Sequence, residues 1–339
     1  MPVRSVLLDT DFHKYADDHE ALRMIAALHD RGEIEIRAVT TVTGNTWAAT
    51  CATQARDALR QLGLGELRVY EGAVQPILHR QSDFAHRSRL YGAAFGGAWG
   101  NSGLLETPPL EQPRPSTDGS LHAVQFMLDY LRSADDPQTI LAIGPLTNLA
   151  LLFRMAPDVT ARIGRLVVMG GAFFVPGNVT PSAEFNWWFD PEAAAIVLEQ
   201  DIPIEVVPLD ATDSIVLDHS RYRRWEKHFS DHPFFNDFHR SKFSNIFAVD
   251  RSYTLPVWDA LAAACLIDDD LVARSADLWL SVDCSQGPSY GRVVSLDDAP
   301  QLKLEQPAPR RAKVVLEVDE EAFWNSYESL VFHCQTGAS

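Results

Sequence analysis

Cysteine is scarce and unpatterned in this chain. Its four cysteines, Cys51, Cys265, Cys284 and Cys334, are scattered, with no CxxC pair and no histidine at zinc-ligand spacing. That excludes a disulfide framework and a cysteine-based zinc site. Basic residues are short as well: 29 Lys and Arg against 46 Asp and Glu leave a formal charge of −17. This is the wrong sign for a protein that binds nucleic acid by neutralising phosphates. No apolar run approaches the ~20 residues that span a bilayer. No basic-then-apolar leader precedes the first strand-like segment, so a cytoplasmic protein without membrane contact is expected. Internal repeats and low-complexity linkers are lacking too, and the Pro-rich stretch at 108–115 reads as a loop within one domain.

What is present is enough apolar material for a large core: 46% of the 339 residues are hydrophobic, sufficient for one sizeable α/β unit or two average domains. Apolar runs at 3–8, 34–42, 67–70, 139–143, 166–169 and 204–208 read as strands. Between most of them, 18–31, 47–62, 120–132, 146–155 and 191–200 read as helices. Segments near 278–283, 292–296 and 312–317 predict later strands, and 320–331 a closing helix. Strands alternating with helices predict an α/β fold: a single Rossmann-like domain, 1–339, with a mostly parallel central sheet flanked by helices. Such sheets bind ligands beyond the carboxyl ends of their strands, so segments just after strands carry the most functional weight.

Asp9 and Asp11 leave the first strand, and Asp17 and Asp18 precede a helix, so four carboxylates fall within ten residues. Like charges so close raise one another's pKa unless a cation or hydrogen-bond donors compensate. A hard divalent cation with oxygen ligands suits this loop better than zinc. The competing reading is that Asp17 or Asp18 caps the helix and Asp9 a turn. An apolar strand ending in D-x-D also opens the haloacid-dehalogenase-like phosphatases, with Asp9 as nucleophile, but the lysine and later acidic pair of that chemistry are not found. In V-T-G-N (42–45), Asn45 either serves a turn or hydrogen-bonds a sugar hydroxyl. In I-G-P-L-T-N (143–148), the carbonyl of Ile143 can face a cation. The loop at 169–194 offers Asn178, Glu184 and Asn186, types that accept from and donate to vicinal hydroxyls, whereas Asp190 reads as a helix cap before Pro191. In L-P-V-W-D-A-L (255–261), Asp259 is either a cap or a ligand, and Trp258 either core or a platform for a flat ring.

Together these segments resemble the inosine-uridine preferring nucleoside hydrolase family over nearly the whole chain and in the same order. The resemblance implies Ca²⁺ held by Asp11, Asp18, Asp259 and the Ile143 carbonyl, with Asp11 also the general base. It implies ribose contacts from Asp17, Asn45, Asn178, Glu184 and Asn186. A cytoplasmic homodimer or homotetramer acting on a small nucleoside is expected.

Three departures from the common family pattern stand out. The first loop, D-T-D-F-H-K-Y-A-D-D, is two residues longer, and His13 and Lys14 inherit no role. After residue 78 the usual H-G-x-x-G run is replaced by Phe84, His86, Tyr91 and Trp99, leaving base contacts unassigned. The residue before Asp259, often a histidine acid, is Trp258, as in the purine-specific inosine-adenosine-guanosine branch. In that branch stacking on tryptophan raises the basicity of the leaving purine, so purine nucleosides are expected, with Phe84 or Tyr91 as candidate second stacking partner. The alternatives are hydrolysis of pyrimidine or modified N-ribosides, and a non-catalytic Ca²⁺-dependent nucleoside- or ribose-binding protein.

Overall fold

The computed structural model describes residues 4–81, 93, 95–100, 121–229, 245–296 and 311–332. Strand β1 (Arg4–Thr10) leads to helix α1 (Asp17–Asp30), β2 (Ile34–Thr41) to α2 (Ala48–Gln61), and β3 (Val69–Glu71) follows. After α3 (Ala123–Ser133) come β4 (Gln138–Ala142), α4 (Thr147–Met155), β5 (Ile163–Met169), the short α5 (Phe185–Phe189), α6 (Pro191–Leu198) and β6 (Ile204–Val207). The chain continues through α7 (Leu209–Thr212), β7 (Val216–Leu217), α8 (His219–Phe229), α9 (Asn245–Val249), β8 (Leu255–Pro256) and α10 (Trp258–Ile267). It closes with β9 (Val272–Val282), β10 (Val293–Leu296), β11 (Arg311–Val318) and α11 (Glu320–Val331).

Among the described residues one sheet runs in the order β10-β9-β11-β6-β5-β4-β1-β2-β3, with β7 and β8 forming a separate ribbon. Pairing is parallel from β3 across to β11, and β9 and β10 join antiparallel at the edge. This is the mostly parallel, helix-flanked α/β sheet that the sequence predicts. The Pro-rich stretch at 108–115 lies outside the described residues.

The central strands are apolar throughout because both faces are covered. Val6 and Leu8, Leu141 and Ile143, Val167 and Met169 pack into the core beneath α1, α2, α10 and α11. Leu7, Ile140, Ala142, Leu166 and Val168 alternate into the opposite core, beneath α3, α4 and α6. Each large aliphatic side chain contributes about 1.5–3 kcal/mol by leaving water, and a one-residue slip of register would exchange the two cores. Helix α1 packs on α10 and α11 and is buried from Asp17 to Leu28. Even Arg23 is 2% exposed, its guanidinium donating to the Val331 carbonyl at 3.0 Å. No helix among the described residues is long and apolar enough to cross a membrane.

The chain leaves β1 on one side through β2 and β3 and returns on its other side with β4. The loops after β1 and β4 therefore diverge, which opens a crevice at the carboxyl ends of the strands.

Candidate active site

Asp11 lies just past β1 and is wedged between two glycines. A Cβ on Gly44 would collide with the Asp11 carboxylate, and one on Gly144 would lie 3.0 Å from its Oδ1. Oδ2 accepts the Asn45 backbone N–H at 2.6 Å, while Oδ1 is buried without a hydrogen-bond partner. Burial, and then the charge of Asp18, hold this carboxyl well above the usual range.

Asp17 and Asp18 sit in the first turn of α1, and Asp259 in the first turn of α10. None caps its own helix, since both caps, Ala16 and Val257, make no side-chain cap bond. Instead Asp17 Oδ2 accepts the Asp259 backbone N–H at 2.8 Å, so a carboxylate of α1 satisfies an orphan donor of α10. One oxygen from each of Asp17, Asp18 and Asp259 lies within 4.8 Å of the others. Asp18 Oδ1 accepts Thr10 Oγ1 at 2.5 Å, and its Oδ2 accepts Asn45 Nδ2 at 3.2 Å. Burial and the charge of Asp17 push Asp18 up to about 7. Asp259, 4% exposed, is raised well above its ordinary value by burial, then by the charges of Asp17, Asp18 and Asp11. Two helix N-termini aimed at these carboxylates offset part of that repulsion.

Beyond β4, the Ile143 carbonyl accepts Asn186 Nδ2 at 3.3 Å, and the same amide reaches the Met169 carbonyl at 3.2 Å. Glu184 caps α5: its carboxylate accepts backbone N–H groups of Gly171, Asn186 and Trp187 at 2.7–3.1 Å. It is 1% exposed, and burial pushes it up to about 7. Asn178 is exposed and its Oδ1 receives the Phe185 N–H at 2.9 Å. Asp190 is the cap of α6, accepting from Ala193 N, and additionally ties down Thr147 Oγ1 at 2.6 Å and Ile77 N at 2.9 Å. Trp258, at the start of α10, is half-buried, with its indole Nε1 shielded from solvent.

In the longer first loop, the His13 backbone N–H donates weakly to Asp18 Oδ2 at 3.4 Å and Lys14 N to Gln54 Oε1 at 2.7 Å. The Lys14 ammonium lies over the exposed Tyr15 ring. Phe84, His86 and Tyr91 lie outside the described residues, and Trp99 is core, 5% exposed against Phe189.

Two supports differ from their sequence readings: Asp9, expected as a turn cap or a rival nucleophile, and Asn148, given no role, bond to each other. Asp9 is fully buried, accepting Thr40 Oγ1 at 2.6 Å and Asn148 Nδ2 at 2.8 Å, and burial pushes it up to about 6. Asn148 also donates to the Thr41 carbonyl and accepts from Ala73 N, lashing α4 to β1, β2 and the loop after β3. An asparagine inside the apolar start of a helix was the available signal.

These residues fit a divalent cation. Three acidic oxygens converge, the Asp11 Oδ1 is buried without a partner, and the Ile143 carbonyl keeps a lone pair beyond its bond to Asn186. An all-oxygen donor set at this charge density suits Ca²⁺ or Mg²⁺ rather than zinc.

A family model described as inosine-uridine preferring nucleoside hydrolase matches residues 6–325. The pyrimidine-specific ribonucleoside hydrolase RihB of Escherichia coli O9:H4 (strain HS) is 31% identical, with 98% of each chain covered, and that of Escherichia coli O157:H7 is 32% identical with the same coverage. Among solved structures, an inosine-guanosine nucleoside hydrolase superposes with a TM-score of 0.79 at 24% identity, covering 97% of this chain and 98% of that one. A purine-preferring ribonucleoside hydrolase from Gardnerella vaginalis gives 0.74 at 25% identity, covering 99% and 100%.

Proposed function

The chain belongs to the inosine-uridine preferring nucleoside hydrolase family, enzymes that cleave N-glycosidic bonds, and from that premise we propose a Ca²⁺-dependent hydrolase of purine ribonucleosides. The observation that supports it most is the crowding of Asp11, Asp17, Asp18 and Asp259 at the sheet's switch point. Buried carboxylates at this density are stable only protonated or around a cation. Asp11, Asp18, Asp259 and the Ile143 carbonyl would hold the ion. When bound, it supplies positive charge that eases the removal of a proton from water and draws in vicinal hydroxyls.

Asp11 is the general base. Its Oδ2 is fixed by Asn45 and its Oδ1 is left free to take the proton of the attacking water. The water oxygen bonds to the anomeric carbon as the C–N bond breaks, and its electron pair leaves with the base, which takes a proton from solvent. Asp17, Asn45, Asn178, Glu184 and Asn186 hold the ribose. Asn45 and Asn186 spend their amide N–H groups on Asp18 and on the Ile143 and Met169 carbonyls, which leaves each Oδ1 for a hydroxyl. Glu184 has accepted three backbone bonds and retains one lone-pair site for a hydroxyl. Carboxylates ranged around the sugar favour the positive charge that develops on it.

Trp258 supports the purine preference: its indole is partly open at the start of α10, and a bicyclic base offers more area to stack and a basic N7. A second reading, pyrimidine or modified nucleosides, is favoured by relatives at 31–32% identity that are pyrimidine-specific. Non-catalytic binding of nucleoside or ribose is disfavoured by the presence of Asp11, the proposed base. We place the protein in the cytoplasm, as a homodimer or homotetramer in nucleoside salvage.

The test is ribose release from inosine, guanosine, adenosine, uridine and cytidine by wild type and Asp11→Asn, with and without chelator. Chelator-sensitive turnover favouring purines, lost by on the order of 10²–10⁴ in Asp11→Asn, is expected. Faster turnover of uridine and cytidine would overturn the purine preference alone. Asp11→Asn as active as wild type would remove Asp11 as the base.

A further inference from the structure

The proposed chemistry makes no use of residues 95–100, yet they lie against the turn that holds Asp11. Gly97–Trp99 form a single 3₁₀ turn. Aromatic rings pin it on both sides: Trp99 is buried against Phe189 with ring centres 4.7 Å apart, and Phe95 packs on Phe185 at 4.9 Å. Phe185 is the first residue of α5, between Glu184 and Asn186, so the turn rests on a fixed part of the site. Between these anchors the Ala98 N–H, one of the donors that the start of a helical turn leaves without a partner inside the turn, donates to the Gly44 carbonyl at 2.9 Å.

Gly97 makes this approach possible. Its φ of +52° lies in the left-handed region, and a methyl there would collide with the Gly44 carbonyl oxygen and stand 2.8 Å from Phe185 Cζ. The Gly44 carbonyl and the Asn45 N–H belong to one peptide group, and that N–H donates to Asp11 Oδ2 at 2.6 Å. A peptide group is planar, with its C=O and N–H directed oppositely. A bond accepted at one end therefore fixes the direction of the donor at the other and polarises it. Gly44 N bonds the Thr46 carbonyl at 3.1 Å and Thr43 N the Ala73 carbonyl at 3.0 Å, which hold the neighbouring peptides of the turn but not this one.

We propose that Ala98 is a positioning residue for the general base: its backbone N–H holds the peptide between Gly44 and Asn45 in the one orientation that clamps Asp11 Oδ2, and Gly97 is the residue that lets it reach. The proposal rests on the reading of Asp11 as the base. Substrate binding draws on other side chains, whereas proton removal by Asp11 belongs to the transition state. Loss of the Ala98 bond thus acts on kcat more than on KM.

The experiment replaces the Ala98 amide by a backbone ester, which removes one N–H and alters no side chain, in the wild-type and Asp11→Asn enzymes at saturating Ca²⁺. With whichever of the five nucleosides is turned over fastest, kcat is expected to fall about tenfold in the wild-type background with KM within about twofold, as for the loss of one buried hydrogen bond. In the Asp11→Asn background the ester should change kcat by less than about twofold. Isotope-labelled asparagine gives a second readout: the Asn45 amide proton should move upfield and exchange faster in the ester protein. Equal losses in both backgrounds, a loss confined to KM, or an unchanged Asn45 amide would overturn the proposal. Should the ester protein not fold, Gly97→Ala enters the same cycle, and in the unmodified enzyme an Asn45 amide that exchanges as fast as an exposed loop would overturn the proposal by itself. Asp11→Asn with wild-type turnover would instead remove Asp11 as the base, and the role of Ala98 with it, whatever the Asn45 amide shows.

Discussion

Gly44 and Gly144 decide how closely the backbone can approach the Asp11 carboxylate, and neither has a positive φ, so it is space and not conformation that calls for glycine here. A methyl on Gly44 would stand 2.8 Å from both the Cβ and the Cγ of Asp11 as well as striking its carboxylate. The whole aspartate would have to move, since a rotation about its last bond would leave the Cβ contact in place. Gly44→Ala should therefore cost about 1–3 kcal/mol as overpacking and reduce kcat/KM by on the order of 10²-fold, as expected for a catalytic group displaced by ~1 Å. Thermal melting and steady-state kinetics on the same preparation check both, and activity within twofold of wild type would mean that Asp11 does not need its present position.

At the scale of elements, the strands of the parallel core were legible because burial on both faces turns them into continuous apolar runs, as in β1, β4 and β5. Strand β9 begins at Val272, earlier than its apolar end suggests, because its first half is solvent-facing and pairs only with β11. The ribbon of β7 and β8 and the five-residue α5 escaped notice for a different reason: segments so short carry no period. Helix α5 owes its start to the cap made by Glu184, a residue read from the sequence only as a sugar contact. The clustered carboxylates drew notice because they lie just past strands in sequence, whereas the bonds from Asp9 to Thr40 and Asn148 join residues 31 and 139 positions apart. Asp190 shows what such long bonds do, since it caps α6 while holding α4 and the loop after β3. Asp190→Ala removes the cap and strands Thr147 Oγ1 and the Ile77 N–H. The expected loss is about 2–4 kcal/mol, or a melting temperature lower by roughly 5–10 °C. Asp190→Asn, which keeps an acceptor, should lose about half as much; equal melting of Asp190→Ala and wild type would show that these bonds contribute nothing net.

For the molecule as a whole, the raised carboxylates and the formal charge of −17 act in the same direction. Asp9 lies at about 6, and Asp18, Glu184 and Asp190 at about 7, each above its unfolded value because burial disfavours the charged form. The folded, metal-free chain therefore binds more protons than the unfolded chain between roughly pH 4 and 7, and its stability falls as pH rises through that window. The contribution of these groups is complete below about pH 4 and is lost once they ionise in place near pH 6–7, where self-repulsion of the acidic chain also grows. A divalent cation reverses the sign at its own site: it binds only the ionised carboxylates, so its affinity rises with pH and it stabilises most where the metal-free protein is weakest. Chelator-treated protein should thus melt at a higher temperature at pH 5.5 than at pH 8, and 1 mM Ca²⁺, roughly what saturates a site of moderate affinity, should raise the melting temperature by several degrees at pH 8 and far less at pH 5.5. The same titration followed with a pH indicator should release protons at pH 6.5 but few at pH 8. An equal shift at both pH values would mean that the ion binds away from Asp11, Asp18 and Asp259, and no shift at either would deny the acidic cluster its cation and leave the four carboxylates to share protons.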